Sequence, residues 1–307
     1  MTGQSPSSRL GTPGFRARRT RPIRASPEAR VRSRWRRPAI SDDHVVTAGS
    51  LTKPPFRIVA HRGVTAAAPE NTMAGFRRAL ALGVDAVELD VRLTRDKRPA
   101  IYHYYYLEAT TTDSGPIFLR SARDLDALRV VGSVLHPDGD HRIPMLEEVV
   151  EEFAGRIGLE IELKGPEPEA AAVVGNLLTR FRHNWDMIEV TSFEPGLLIE
   201  LRARCPDITT ALLFPPSEEW MHLDVVAYAA LQKARLARAQ AVHLHANQLS
   251  EEVVSMIRAG GVDVHAHSVN DDRSLKLAAA LRLSWVCTDD PERALAFRRS
   301  SRLSAAL

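Results

Sequence analysis

Residues 57–91 read RIVAHRGVTAAAPENTMAGFRRALALGVDAVELDV. Arg57–His61 is a short apolar run that suits a buried strand, and it ends on His61-Arg62-Gly63. Thr72–Leu82 suits a helix, with Asn71 or Thr72 able to cap it and Gly83 a natural stop. Ala86–Leu93 suits a second strand. Strand, helix and strand joined by short links predict a parallel pair.

The same alternation continues down the chain. Further strands are predicted at Ala100–His103, Gly158–Leu163, Ile188–Ser192, Thr209–Leu213, Ala241–Leu244, Val262–Ala266 and Trp285–Cys287. Helices are predicted at Ser121–Leu128, Met145–Phe153, Pro168–Arg182, Pro195–Arg204, Asp224–Ala239, Ser250–Ala259, Asp271–Leu281 and Pro291–Arg298. Eight or so such units in about 250 residues is the length of a (β/α)₈ TIM barrel. A doubly wound open sheet fits less well, because no Gly-rich nucleotide loop follows any strand. The segment Tyr104–Arg142 is long for one link. With turns at Thr110–Gly115 and Pro137–Asp140, it predicts a small insertion after the second to third strand region.

Residues two apart on a strand share a face. Glu88 and Asp90 therefore point one way, as do Glu160, Glu162 and Lys164, while His61 and His103 close two predicted strands. Paired carboxylates flanked by two histidines suit metal-assisted attack at phosphorus, with the histidines moving protons. An oxygen-rich ligand set suits Ca²⁺ or Mg²⁺. Glu160 is expected to sit deeper and to pair with Lys164 or Arg62, unless the register of that strand is shifted. His243 and His245 share one face and His265 and His267 another; they read as polar residues near a barrel rim rather than as a metal site.

His61-Arg62-Gly63, Pro69-Glu70-Asn71-Thr72, Glu88-Leu89-Asp90-Val91, His103, Glu162-Leu163-Lys164, Ser192-Phe193 and Thr288-Asp289-Asp290-Pro291 occur in that order. As an ordered set they resemble the glycerophosphodiester phosphodiesterase family, over roughly residues 56–298. The resemblance implies a metal-dependent phosphoric diester hydrolase that releases sn-glycerol 3-phosphate and an alcohol. It implies His61 and His103 as the acid/base pair and Glu88, Asp90 and Glu162 as ligands of one divalent cation, Ca²⁺ or Mg²⁺. Lys164 and Arg62 then contact phosphate, and the glycerol 2-hydroxyl attacks first. Glu70 and Asn71 either orient His61 and the phosphate or serve only as local structure at the helix start. Two departures stand out. The family's second His is usually followed by Asp, where this chain has Tyr104, Tyr105 and Tyr106; its usual Trp-Thr-Val-Asn is here His267-Ser268-Val269-Asn270. Tyr104 and His267 are therefore candidate substrate contacts. The aromatic entrance leaves lysophospholipids or an unusual sugar phosphodiester open as substrates. The missing Asp leaves open a non-catalytic phosphodiester-binding protein, though retention of both histidines argues against it.

The net charge of +3 hides a division. Residues 1–54 hold twelve basic against three acidic residues, a balance of +9, and the remainder holds 29 basic against 35 acidic, a balance of −6. The basic pI thus belongs to the first 54 residues, and no nucleic-acid partner is expected. That segment is Arg-, Ser- and Pro-rich and expected to be disordered, ahead of a catalytic domain over 55–300. It reads as a solvated tail or an over-long start, with an arm for peripheral membrane contact or a transit-like segment as alternatives. No apolar run approaches the roughly 20 residues of a membrane span, and no secretory h-region is recognisable, so a cytoplasmic location is expected. Cys205 and Cys287 give neither a disulfide framework nor metal-ligand spacing. The sequence leaves the oligomeric state open.

Overall fold

The repeating strand–helix pattern closes on itself. The structure is a computed structural model and describes residues 54–131, 141–218 and 220–304. The predicted disordered segment, apart from its last residue, and the turn at 137–140 lie outside the described residues.

The elements run β1 (Arg57–Ala60), α1 (Met73–Leu82), β2 (Ala86–Leu93), β3 (Pro99–Ile101), α2 (Ala122–Asp126), α3 (Leu146–Phe153), β4 (Gly158–Leu163), α4 (Ala170–Thr179) and β5 (Ile188–Ser192). They continue with α5 (Pro195–Arg204), β6 (Thr209–Leu213), α6 (Leu223–Leu236), β7 (Ala241–His245), α7 (Glu251–Ala259), β8 (Asp263–His267), α8 (Asp272–Ala280), β9 (Trp285–Thr288) and α9 (Pro291–Ser304). Eight strands form a parallel barrel in the order β1-β9-β8-β7-β6-β5-β4-β2, closed by the pairing of β1 with β2. This is the (β/α)₈ barrel expected from the sequence.

Local chemistry sets the helix starts. Thr72, not Asn71, caps α1 by accepting from the Gly75 amide, Ser250 caps α7 through Val253, and Pro291 opens α9. Gly83 ends α1 in the left-handed region at φ 74°. The helix predicted at 168–182 is shorter, and a separate 3₁₀ segment follows it at Arg182–Met187.

One strand departs from expectation. The run predicted as a barrel strand at 100–103 is β3, which lies antiparallel to β2 with Val91 opposite Ile101. Only five residues, 94–98, join the two, and a parallel crossover needs a dozen or more. Thr94 closes that turn by donating its amide to the Arg98 carbonyl at 3.0 Å, with Lys97 at φ 58°. β3 leads into the insertion, which has its own small core of Tyr102, Leu107, Ile117, Leu125 and Ile143.

Alternation divides the apolar residues. Val87, Leu89, Ile161, Val190, Val242 and Val264 point outward into the main core under the helices. The opposite, inward face holds a small apolar floor of Val59, Ala86, Trp285 and Cys287. Above it the interior is polar: Glu88, Asp90, Glu160, Glu162, Glu189, Thr191, His243 and His265 are all buried. Barrels usually fill this space with branched aliphatic layers. Buried ionisable groups must instead find partners or a cation.

Candidate active site

The chain leaves β1 through a forced turn. Arg62 sits at φ 55° and Gly63 at φ 89°. A Cβ on Gly63 would meet the backbone carbon of Gly75 at 2.9 Å, so only glycine fits. The turn aims the Arg62 amide at Glu88 Oε2 (3.0 Å) and its guanidinium at Asp90 and Glu70 (3.2 Å each). Asn71, also left-handed at φ 56°, donates from Nδ2 to Asp90 Oδ2 at 2.8 Å. Glu70 therefore acts on Arg62, and Asn71 on Asp90.

His61 is held from the neighbouring strand, because β9 pairs with β1 and Thr288 lies opposite Ala60. Its Nδ1 donates to Asp289 Oδ1 at 2.6 Å, while Nε2 lies 3.9 Å from Glu88 Oε2. Asn270 anchors Asp289 twice, donating from Nδ2 to Oδ2 at 2.6 Å and accepting the Asp289 amide at 2.9 Å. The hydrogen bond from His61 is the main force holding Asp289 below the usual carboxylate range. Asp289 stood within the ordered motifs and Asn270 in the departing stretch His267-Ser268-Val269-Asn270, but neither was given a role.

Glu88, Asp90 and Glu162 each bring an oxygen within 4.8 Å of the others, and all three are buried. Burial, then the charges of Asp90 and Glu162, pushes Glu88 well above its ordinary value. Burial followed by Asp90 pushes Glu162 up to about 7. Burial alone would also raise Asp90, but Lys164 and Arg62 outweigh it and hold Asp90 at about 2. Lys164 Nζ lies 2.8 Å from Glu162 and 3.4 Å from Asp90. Oε1 of Glu88 is buried with no hydrogen-bond donor. Three convergent carboxylates, one of them with an orphaned oxygen, form an all-oxygen donor set that fits a divalent cation of the Ca²⁺ or Mg²⁺ kind.

His103 reaches the site from the link after β3, not from the end of a barrel strand. Arg92 on β2 fixes that link by donating to the His103 carbonyl at 2.8 Å and the Gly165 carbonyl at 2.9 Å. Nothing in the sequence pattern marked Arg92 for this task. Burial is the main force driving His103 down to about 4. Tyr104 stands edge-on to the His103 ring at 4.6 Å, backing it rather than lining the cavity. Burial, then the nearby rings of His243 and His245, lowers His267 to about 3.

One cavity at the C-terminal ends of the strands gathers His61, Arg62, Glu88, His103, Glu162, Lys164, His267 and Asp289. Phe193 and Leu213 give it an apolar side. Asp90 lies behind this lining, tied to it by Arg62 and Lys164.

Two interior placements differ from the sequence reading. Glu160 pairs with neither Lys164 nor Arg62; its Oε1 lies 3.4 Å from His243 Nδ1. His243 and His265 are not at the rim but inside the barrel, 1% and 4% exposed. The strand face they share is the interior face, which the period-two pattern gives without fixing depth.

A family model for the glycerophosphoryl diester phosphodiesterase family matches residues 61–293. A glycerophosphodiester phosphodiesterase of Bacillus altitudinis is 30% identical over 251 residues, covering 80% of this chain and 99% of the relative. The structure of an Oleispira antarctica phosphodiesterase in complex with the product sn-glycerol-3-phosphate superposes with a TM-score of 0.66. It is 28% identical, over 78% of this chain and 95% of that one. A glycerophosphodiester phosphodiesterase from Agrobacterium tumefaciens gives a TM-score of 0.67 at 25% identity, over 78% and 99% of the two chains.

Proposed function

Because the chain belongs to the glycerophosphoryl diester phosphodiesterase family, we infer that it is a phosphoric diester hydrolase that cleaves glycerophosphodiesters to sn-glycerol 3-phosphate and an alcohol. The observation that carries the residue-level reading is the placement of His61, pinned by Asp289, in the cavity that Glu88 and Glu162 line, with Asp90 converging on them from behind.

Glu88, Asp90 and Glu162 would hold a divalent cation. Bound there, it would supply positive charge to the oxygens around phosphorus as negative charge builds on them. Lys164 and Arg62, both beside those carboxylates, add fixed positive charge for the phosphate. His103 is neutral at pH 7 by virtue of its burial and suits the role of proton acceptor. It takes the proton of the glycerol 2-hydroxyl, whose oxygen attacks phosphorus. That nucleophile is already part of the substrate, so no separate water need be ordered for the first step. A proton already carried on Nε2 of His61, whose ring Asp289 holds through Nδ1, passes to the departing alkoxide, while His103 keeps the one it took from the 2-hydroxyl. Water then opens the cyclic phosphate with the two histidines in reversed roles. His267 adds a polar wall where the family usually has an indole.

A second substrate reading has an observation of its own. Phe193 lines the cavity while 40% exposed, and Tyr105 and Tyr106 are 44% and 56% exposed in the link after β3. An apolar mouth suits a lysophospholipid tail. Comparing glycerophosphocholine with lysophosphatidylcholine in the presence of Ca²⁺, Mg²⁺ or EDTA separates the two. Cation-dependent release of glycerol 3-phosphate from the first supports the main reading. Release of lysophosphatidate from the second alone moves the assignment to lysophospholipids, and turnover of neither overturns both.

A further inference from the structure

Below the catalytic carboxylates, Glu189 of β5, His243 of β7 and His265 of β8 meet in the barrel interior. His243 Nε2 lies 2.8 Å from Glu189 Oε1 and 2.9 Å from His265 Nδ1, and His265 Nδ1 lies 3.4 Å from the same Oε1. A ring nitrogen offers one proton or one lone pair, along one direction. His243 Nε2 can therefore satisfy only one of its two close neighbours by hydrogen bonding. A single ion satisfies all three donor atoms together, and neighbouring donors in a tetrahedral zinc site stand about 3.3 Å apart, given bonds of about 2.0–2.1 Å.

Carboxylates stand near the outer nitrogens of both rings, where metal-bound imidazoles find their second partners, at ion-pair rather than hydrogen-bond distance. Each ring's other nitrogen faces a carboxylate: His243 Nδ1 is 3.4 Å from Glu160 and His265 Nε2 is 3.9 Å from Asp263. Oε2 of Glu189 and Nδ1 of His243 are buried without a hydrogen-bond partner. β6, between β5 and β7, turns Thr209, Ala211 and Leu213 to this face, with Thr209 opposite Glu189 and Leu213 opposite His243, so it adds no charged group to the cluster. The cluster is separate from the carboxylate trio above it, and its imidazoles suit a different metal chemistry.

We propose that Glu189, His243 and His265 bind a second divalent ion of the zinc class, in a two-imidazole, one-carboxylate site that ties β5, β7 and β8 together beneath the active site. The ion is structural and leaves the upper site free for Ca²⁺ or Mg²⁺.

The test uses the full-length metal-free protein, saturated with Mg²⁺ to fill the carboxylate site and then titrated with Co²⁺. One equivalent should bind with the strong visible bands of low-coordinate Co²⁺. X-ray absorption should count two imidazoles, and the count should persist in His61→Ala, which removes one active-site imidazole. His265→Asn should abolish those bands, and Glu160→Gln should weaken binding about 10–100-fold. Exclusion of Co²⁺ by Mg²⁺, a pale six-coordinate spectrum, or unchanged binding in folded His265→Asn would overturn the proposal. If circular dichroism shows His265→Asn unfolded, the imidazole count in His61→Ala decides alone, and fewer than two overturns it.

Discussion

His61 depends on a residue 228 positions away. Asp289 fixes the ring through Nδ1, and Asn270 fixes Asp289. Asp289→Asn keeps the shape and removes the charge, so kcat should fall by about 10²–10⁴ with KM little changed. Steady-state kinetics on glycerophosphocholine checks this, and a loss confined to KM would contradict it. Cation binding has a pH signature of its own. Glu88 lies well above its ordinary value and Glu162 at about 7, so in the metal-free protein protons compete for these oxygens below neutrality. Raising pH removes those protons, so affinity should climb between pH 6 and 8 with proton release on binding, as calorimetry in two buffers would show. His61, Glu88, Asp90 and Glu162 were legible because the two-residue period and the ordered motifs mark them. Asp289, Asn270 and Arg92 were not given roles, because their roles exist only once the barrel has closed and brought distant strands together.

At the scale of elements, the turn after β1 is the most demanding. Gly63→Ala must adopt φ 89° and push against the Gly75 backbone, whereas Gly83→Ala adopts φ 74° with nothing within 4 Å of the new methyl. Chemical denaturation should show a loss of about 1–2 kcal/mol for Gly83→Ala, the cost of left-handed backbone alone. The loss for Gly63→Ala should be clearly larger, because backbone clash is added; equal losses would contradict the packing described. Most element types and order were legible, since eight strands and their helices follow the apolar pattern. β3 was misplaced because Ala100-Ile101-Tyr102 looks like a barrel strand in composition. The five-residue link before it held the sign of antiparallel pairing.

At the scale of the molecule, the barrel is a cage of aliphatic strands whose interior has been given over to carboxylates and histidines. Composition could not show this, because 44% hydrophobic residues is ordinary for a globular protein and the polar layer is hidden among them. Charge is also divided, with +9 on residues 1–54 and −6 on the rest. No helix among the described residues is long and apolar enough to cross a membrane. If the basic segment is an arm for anionic surfaces, a chain starting at Pro54 should lose sedimentation with phosphatidylserine vesicles at low salt while keeping its turnover of glycerophosphocholine. Equal sedimentation of both chains would assign the binding to the barrel.

We propose that His61 and the carboxylate trio cleave a glycerophosphodiester with a divalent cation. Phosphorus-31 NMR of glycerophosphocholine incubated with the protein and Mg²⁺ or Ca²⁺ tests it most directly. The diester signal should give way to that of sn-glycerol 3-phosphate, and should stay unchanged with EDTA or with His61→Ala. Undiminished conversion by His61→Ala, or in EDTA, would contradict the account.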